Sequence, residues 1–407
     1  MANGIPALTA PANEAVRDYA PGSPERTAIV EHLDRMLAEE VEIPLIIGGQ
    51  EVRTGDTATQ VCPHDHGHVL ATYHKAGAAE VTQAVGAAAQ AWGDWSGADW
   101  ATRAAVVLKA ADLLAGPWRY TMNAATMLNQ SKTVYQAEID AAVELIDFWR
   151  FNPAFARELY QEQPYSSAGV WNRLEYRPLE GFVFAVTPFN FTSIAGNLPT
   201  SPALMGNTVL WKPASTAVLS GYYLMKLLQA AGLPDGAINF IPGSGSQLGD
   251  LVLGQERLAG IHFTGSTNTF QSMWRTIGAN IAAYKTYPRI VGETGGKDFV
   301  FAHSSADAGA LVTALVRGAF EYQGQKCSAA SRAYIPKSLW DRVSEGLMDR
   351  LATIKMGDPT DLSNFMAAMI DEKAFDTAME YIDYAKSSAD HEIICGGSGD
   401  KSTGYFV

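Results

Sequence analysis

Between Phe182 and Val291, short apolar runs alternate with longer segments of helical periodicity. The runs predict strands and the longer segments predict helices. Strands that alternate with helices build a parallel, doubly wound sheet with helices on both faces, so we expect an α/β fold. The predicted strands are Phe182–Thr187, Thr208–Lys212, Ala237–Ile241, Gly260–Phe263 and Tyr287–Val291, and the predicted helices are Val218–Ala231 and Thr267–Ala283.

The chain has 407 residues, of which 47% are hydrophobic and 18% charged. This length predicts about two to three domains, and the composition excludes a disordered chain. No apolar run is long enough for a membrane helix, and a net charge of −13 disfavours nucleic-acid binding. The sparse cysteines Cys62, Cys327 and Cys395 are typical of a reducing compartment. No targeting pattern is present, so the sequence predicts a cytoplasmic protein. The missing membrane helix and the negative net charge predict a protein without membrane or nucleic-acid partners.

Other elements flank the alternating region. Ala78–Tyr160 has helical periodicity, with a long second helix predicted at Thr133–Leu159. The stretch Gly169–Pro178 alternates in the manner of an exposed arm. After Gly296 a further region is predicted to contain strands and helices at Phe299–Ala302, Ala308–Glu321, Ala333–Ile335 and Leu339–Ile354.

Cys327 is a candidate nucleophile. A single cysteine is more often a small buried hydrophobe. Here, however, the neighbouring Gly324, Gln325 and Ser328 favour an exposed loop. Lys326 is expected to favour the thiolate, which is the reactive form of the side chain.

Two polar residues could support this nucleophile. Glu293 lies between Gly292 and the pair Gly295–Gly296, where a carboxylate is either a turn residue or a general base for water. A thioester intermediate would need such a base for its hydrolysis. Asn190 follows a predicted strand and is either a turn residue or an amide donor to an oxyanion, together with the backbone N–H of the nucleophile.

Two glycine-containing segments are candidates for a dinucleotide site. Gly243–Gly249 follows a strand, but its glycine spacing is one residue too long for the usual pattern. Phe263–Thr267 leads from a strand into a helix N-terminus, where free N–H groups suit a pyrophosphate. Lys212 ends an earlier strand, either as a cation for ribose hydroxyls or as a solvated strand end. The alternating histidines of His64–His68 are interrupted by Gly67 and do not predict a metal site.

Five stretches of the sequence are too long for a chance match to a known pattern: Gln136–Asn152, Thr187–Thr192, Ser201–Pro213, Gly292–Asp298 and Phe320–Ser328. They resemble the aldehyde dehydrogenase superfamily, in particular its L-glutamate-γ-semialdehyde (1-pyrroline-5-carboxylate) dehydrogenases of proline catabolism. The spacing of 34 residues between Glu293 and Cys327 also agrees with the superfamily.

The resemblance implies an α/β fold with a Rossmann-type NAD-binding domain, an incomplete α/β catalytic domain and a short β arm for oligomerisation. It implies that residues 1–165 and 182–290 bind NAD, that 166–181 form the arm and that 291–407 are catalytic. The full-length form is expected to be a homodimer or a higher homo-oligomer.

The resemblance also implies a mechanism. Cys327 attacks the aldehyde of L-glutamate 5-semialdehyde, and Asn190 with the Cys327 N–H holds the oxyanion. After hydride transfer to NAD, Glu293 activates the water that releases L-glutamate. The other residues implied are Thr187, Lys212, Gly265, Ser266, Thr267, Asn268 and Thr269 for the cofactor and Phe191, Ser328 and Glu144 for the substrate.

The sequence departs from the family pattern in three places. Phe270 replaces the second glycine of the pyrophosphate loop, and Ser215 stands where an acidic residue would exclude a 2′-phosphate. The resemblance therefore implies NAD and leaves NADP open. The chain stops at Val407, short of the family's Glu-Ile-Phe-Gly-Pro segment, so we expect weak NAD binding and slow turnover. The alternatives are an inactive truncated paralogue and a CoA-acylating semialdehyde dehydrogenase, which Glu293 disfavours.

Overall fold

The structure, a computed structural model, describes residues 8–407. Residues 1–7 of the predicted NAD-binding region lie outside the described part. The strands are β1 (Val41–Ile43), β2 (Leu45–Ile47), β3 (Gln50–Val52), β4 (Thr57–Cys62), β5 (Asp65–His74), β6 (Phe182–Val186), β7 (Thr208–Lys212), β8 (Ile238–Phe240), β9 (Leu258–Thr264), β10 (Arg289–Glu293), β11 (Phe299–Phe301) and β12 (Arg332–Tyr334).

Helices connect and cover these strands. They are α1 (Pro24–Leu37), α2 (Ala78–Gly97), α3 (Trp100–Ala115), α4 (Arg119–Gln130), α5 (Val134–Ala137), α6 (Glu144–Gln161), α7 (Thr192–Leu204), α8 (Val218–Ala230), α9 (Gly245–Leu253), α10 (Thr267–Ala279), α11 (Ala308–Phe320), α12 (Lys337–Leu351) and α13 (Glu372–Ser387). A π-helical segment, Glu138–Val143, joins α5 to α6, and 3-10 turns occupy Ile281–Ala283 and Glu321–Gly324. Among residues 8–407 no helix has the length and apolarity needed to cross a membrane.

The alternating region forms the centre of a seven-stranded sheet in the order β10-β9-β6-β7-β8-β2-β3. Strands β6 to β10 are parallel, whereas β2 and β3 extend the sheet antiparallel from its β8 edge. The chain runs outward in opposite directions from β6, so β6 and β9 flank a switch point. In such sheets ligands bind beyond the carboxyl ends of the strands at that point. The predicted α/β fold with a doubly wound parallel sheet is confirmed.

Two apolar cores lie on opposite faces of this sheet. Along β6, Phe182 and Phe184 belong to one core, whereas Val183 and Ala185 belong to the other. This division follows the two-residue period of a strand. Because both faces are covered, β6 is a continuous apolar run and β7 is buried along its whole length, with no alternation of apolar and polar residues in either strand.

A third, smaller core lies after the large sheet. Leu311 and Leu315 of α11 pack with Leu339 and Val343 of α12 beneath the parallel pair β11-β12. The two strands were predicted by their apolar runs. Strand β10 of the large sheet ends at Glu293, so it crosses the predicted boundary at 291. The whole of this strand belongs to the cofactor side.

Three helices were not expected from the sequence: α7, α9 and α13. Helix α7 contains Pro199 and Pro202, residues that normally interrupt helices. The predicted helix Thr267–Ala283 is shorter than expected and ends at Ala279.

The predicted β arm at 166–181 contains no strand in the described chain. Most of the segment is exposed, with Trp171 83% exposed. A strand requires a neighbouring strand for its hydrogen bonds, and no such neighbour lies beside this segment within residues 8–407.

Candidate active site

Glu293 and Cys327 meet beyond the carboxyl end of β10. Glu293 is the last residue of that strand, and Cys327 lies in the loop that follows α11, which we call the nucleophile loop (residues 321–328). The Cys327 Sγ is 3.6 Å from the Glu293 Oε1. Two residues singled out separately in the sequence are therefore neighbours in space.

Asn190 lies against the same loop. It follows β6, and its Nδ2 donates a hydrogen bond to the backbone carbonyl of Gln325 at 2.9 Å. An amide nitrogen carries two hydrogens, so the second N–H stays available for an oxyanion formed next to Cys327. The Asn190 Oδ1 is buried and finds no partner among the described residues.

The expectation that Lys326 promotes the Cys327 thiolate is wrong. Burial raises the pKa of the Cys327 thiol, and the adjacent Glu293 carboxylate raises it further by its charge and its hydrogen bond. The Lys326 ammonium turns away and lies 3.0 Å from Asp140 Oδ2 and 3.3 Å from Glu321 Oε2. The raised pKa favours the protonated thiol of Cys327, and Glu293 lies where it can accept that proton.

The nucleophile loop has an unusual backbone. Tyr322, Gln323 and Gly324 have consecutive positive φ angles of 52°, 54° and 68°. For a residue with a side chain this left-handed conformation costs on the order of 1–3 kcal/mol and persists only where its surroundings impose it. Here the buried Tyr322 hydroxyl donates to the carbonyl of Gln130 at 2.8 Å, and the Ile370 N–H donates to the side chain of Gln325 at 3.0 Å.

Glycines around Glu293 allow close backbone contacts. A Cβ on Gly296 would lie 2.0 Å from the backbone oxygen of Cys327, so this position must lack a side chain. A Cβ on Gly292 would lie 2.2 Å from the ring of Phe270. The phenylalanine that replaces the family's second glycine is therefore accommodated by a glycine on the neighbouring strand.

A cavity of about 500 Å³ opens beside the nucleophile. All three residues implied for the substrate line it together with Cys327 and Glu293: Glu144, Phe191 and Ser328. Burial raises the pKa of the Glu144 carboxyl, which accepts a hydrogen bond from the Ser193 hydroxyl.

His262 also lines this cavity, and sequence reasoning did not select it. Pro202 has no N–H, which frees the carbonyl of Leu198 one turn earlier in α7. The His262 Nδ1 lies 2.9 Å from that carbonyl, so Nδ1 carries the proton and Nε2 is the free nitrogen. Burial lowers the pKa of His262, which favours this neutral form. Side chains two residues apart in a strand point to the same face. A strand that places Thr264 beside this cavity therefore also predicts that His262, two residues earlier, faces it.

A second cavity, of about 660 Å³, lies at the switch point of the sheet. Six of the seven residues implied for the cofactor line it: Thr187, Lys212, Gly265, Ser266, Asn268 and Thr269. Thr267 begins α10 and does not line the cavity. Phe263 and Thr264 border both cavities, so the cofactor groove leads directly to Cys327.

The groove presents hydrogen-bond donors to a ligand. Ser266 caps α10 by accepting the Thr269 N–H at 3.2 Å, which leaves the preceding N–H groups of the first turn free. Lys212 is 5% exposed and is not a solvated strand end. Among residues 8–407 its Nζ donates only to the Pro213 carbonyl, at 2.7 Å, and burial lowers its pKa to about 8. Gly245 and Gly249, from the segment Gly243–Gly249 whose glycine spacing is one residue too long, also line this groove.

A doubly wound sheet with a cysteine and a glutamate at its carboxyl edge defines the class of protein. The chain belongs to the aldehyde dehydrogenase family, whose family model matches residues 51–407. Similarity is high to delta-1-pyrroline-5-carboxylate dehydrogenases. The mitochondrial one of Dictyostelium discoideum is 50% identical over 98% of this chain and 72% of the relative. The mitochondrial one of Homo sapiens is 47% identical over 97% and 70%, respectively.

Solved structures agree with this relationship. The delta-pyrroline-5-carboxylate dehydrogenase from Mycobacterium tuberculosis bound with NAD superposes with a TM-score of 0.98 at 55% identity, over 100% of this chain and 76% of that one. The 1-pyrroline-5-carboxylate dehydrogenase from Thermus with bound NAD gives 0.93 at 29% identity, over 98% and 77%. The resemblance inferred from the sequence is confirmed.

Proposed function

We propose that this chain catalyses the NAD-dependent oxidation of L-glutamate 5-semialdehyde, formed from 1-pyrroline-5-carboxylate, to L-glutamate in proline catabolism. The observation that carries the proposal is the pair Cys327 and Glu293, 3.6 Å apart, at the junction of two cavities. The high identity to delta-1-pyrroline-5-carboxylate dehydrogenases supports this choice of substrate.

The first step forms a bond between Cys327 and the aldehyde. Glu293 accepts the thiol proton, and the sulfur attacks the carbonyl carbon to give a thiohemiacetal. The developing oxyanion accepts hydrogen bonds from the free Nδ2–H of Asn190 and from the Cys327 backbone N–H. The carboxylate and the amide thus have separate roles at the reacting carbon.

The cofactor groove fits a dinucleotide. Lys212 is a buried ammonium that has no carboxylate partner within the described part of the chain, so it can bind ribose hydroxyls. The first turn of α10 after Ser266 offers N–H groups to a pyrophosphate. When bound, NAD supplies the acceptor for the hydride that leaves the substrate carbon. Phe263 and Thr264 border both cavities, so a cofactor in the groove would lie next to a substrate bound at Cys327.

Hydrolysis completes the reaction. By this stage Glu293 has passed the thiol proton to solvent and is again a carboxylate. It removes a proton from water, the resulting hydroxide attacks the thioester carbon, and the departing sulfur takes that proton, which gives L-glutamate and the Cys327 thiol. A CoA-acylating enzyme would not need this base. The position of Glu293 beside the sulfur therefore favours hydrolysis over transfer to CoA.

We also propose the organisation of the whole protein. The third core around Leu311 and Leu339 supports a catalytic domain within 291–407, and the two larger cores support an NAD-binding domain formed by 1–165 and 182–290. The exposed aromatic arm at 166–181 supports a homodimer or higher homo-oligomer. The absence of a disulfide among Cys62, Cys327 and Cys395 supports a reducing compartment, which we take to be the cytoplasm.

NADH formation from 1-pyrroline-5-carboxylate tests the proposed function. The assay is run with and without CoA, at enzyme concentrations that detect a single turnover per site. We expect NADH without CoA, and none from Cys327→Ala. The Cys395→Ala variant is the matched control, because this cysteine is exposed and lines neither cavity, and it should retain activity. NADH from Cys327→Ala, or a strict requirement for CoA, would contradict the proposal.

A further inference from the structure

Two lysines converge on one carboxylate beneath the active site. The Lys132 Nζ lies 2.5 Å and the Lys326 Nζ lies 3.0 Å from the same oxygen, Asp140 Oδ2. The Lys132 and Asp140 side chains are almost completely buried. Lys326 immediately precedes the nucleophile Cys327. Asp140 therefore connects a helical region of the cofactor side to the nucleophile loop.

Aromatic rings enclose this cluster. The Lys132 Nζ is 4.3 Å from the ring centroid of Tyr322 and 4.7 Å from that of Phe191. Lys326 approaches the Phe191 ring as well, at 5.5 Å. Cations at such distances are attracted to the ring faces. Tyr322 starts the left-handed part of the loop and Phe191 lines the substrate cavity, so the cluster contacts both sides of the reacting centre.

The carboxylate projects from an irregular part of its helix. Asp140 lies in the π-helical segment Glu138–Val143, an arrangement that is often found at functional sites. Burial lowers the pKa of Lys132 to about 8, against the opposing effect of Asp140. Lys132 can consequently give up its proton if Asp140 is neutralised, which avoids an unpaired buried charge.

We propose that Asp140 is a positioning residue for Cys327, because it holds Lys326 and with it the nucleophile loop in the place where the sulfur meets Glu293. This inference rests on the proposed role of Cys327 as the nucleophile. Asp140 touches neither cavity and acts through Lys326.

Alkylation of Cys327 reports its position without requiring turnover. In the native arrangement burial and Glu293 hold the thiol pKa above its usual value. A loop that moves away from Glu293 would lower this pKa and speed reaction with iodoacetamide at neutral pH. The other titratable groups that face the cavity beside Cys327 are Glu144 from α6 and His262 from β9.

Two substitutions separate position from charge. Asp140→Asn removes a negative charge, which by electrostatics alone lowers the Cys327 pKa. Lys326→Met removes a positive charge, which by electrostatics alone raises it, and leaves the Lys132–Asp140 pair intact. If Asp140 and Lys326 act by positioning, both variants should shift the alkylation profile to lower pH.

Glu138→Gln is the matched control for lost stability. Glu138 lies two residues before Asp140 in the same π-helical segment and is fully buried. It accepts hydrogen bonds from Arg119, Asn123 and Tyr19, on the side that faces the N-terminal segment. Its loss should lower the unfolding midpoint and leave the alkylation of Cys327 unchanged.

The experiment measures alkylation against pH by mass spectrometry, with exposed Cys395 as an internal reference. We expect several-fold faster alkylation of Cys327 at pH 7 in both Asp140→Asn and Lys326→Met, and NADH formation slower by about 10- to 100-fold.

Opposite shifts in the two variants, no shift in Lys326→Met, or an equal shift in Glu138→Gln would overturn the inference. If Asp140→Asn does not fold, Lys326→Met and Glu138→Gln decide. If the proposed function itself were wrong, Cys327→Ala would still form NADH, which distinguishes that outcome from a failure of the present inference.

Discussion

Individual glycines determine how closely the catalytic segments approach each other. Gly295 and Gly296 follow Glu293 in sequence, but only the second faces the nucleophile. The site that a Cβ on Gly296 would occupy already holds the carbonyl of Cys327, whereas a Cβ on Gly295 would meet nothing within 4 Å. The carbonyl and the thiol belong to the same residue, so a shift of one moves the other.

Gly296→Ala should therefore impair catalysis, and Gly295→Ala should not. A Cβ 2.0 Å from the Cys327 oxygen forces the two loops apart, and a displacement of about 1 Å at a reacting group can cost about 100-fold in rate. NADH formation by the two variants, with circular dichroism to confirm folding, makes the comparison. Equal activity of the two alanine variants would show that the contact is unimportant.

At the level of elements, β7 carries a lysine into the interior at its carboxyl end. Burial lowers the pKa of Lys212 to about 8, from 10.5 in an exposed lysine. The charged form is thus disfavoured in the folded chain, and no carboxylate among residues 8–407 compensates for it. Such a cost is understandable if the ammonium is needed by a ligand in the groove.

The burial of Lys212 should make the free energy of unfolding depend on pH. Between pH 8 and 10.5 the unfolded chain binds more protons at Lys212 than the folded chain does, so its contribution to stability rises with pH across this window. Relative to Lys212→Met, the free energy of unfolding of the wild type should increase by up to about 3 kcal/mol from pH 8 to 10.5. Lys132 titrates in both proteins and cancels in the difference.

Urea unfolding at several pH values measures this difference, and NAD binding measures its function. Lys212→Met should bind NAD more weakly than the wild type. Lys226→Met, on the outside of α8, is the control for both quantities because its side chain is 39% exposed. A pH-independent difference in stability would refute the pKa that the burial of Lys212 implies.

For the whole molecule, the arm is the segment least attached to the rest. Trp171 within the arm is 83% exposed, Tyr165 immediately before it is 85% exposed, and the polar contacts of the arm are mostly local to the segment. Large exposed aromatic side chains are typical of surfaces that contact another chain. Folding of a single chain does not explain their presence.

Substitution of both aromatic residues by serine should convert an oligomer to a smaller species without changing the unfolding midpoint. Tyr381→Ser is the matched control, since Tyr381 is 71% exposed on α13 and distant from the arm in sequence. Sedimentation velocity at several protein concentrations gives the mass of each variant. An unchanged mass for the arm variant would exclude this segment as the oligomer contact.

Much of the fold could be predicted from local patterns. The strands β6 to β9 and the helices α8 and α10 follow from hydrophobic periodicity, because these strands are buried on both faces and these helices on one. The helix α7 could not be predicted in this way. Its two prolines interrupt the local signal, and the carbonyl that Pro202 leaves free is satisfied by His262 on a distant strand.

For the candidate site as well, some features could be predicted from local sequence and others depend on the tertiary structure. The residue types and spacing of Cys327, Glu293 and Asn190 indicate their chemistry, since few side chains can serve as nucleophile, base and oxyanion donor. Their distances and protonation depend on contacts between segments far apart in the sequence. Lys326 shows the difference: beside Cys327 in the chain it was expected to activate the thiol, but Asp140 binds its ammonium in the folded protein. Local sequence sets which groups are available, whereas burial and packing set which charges face each other.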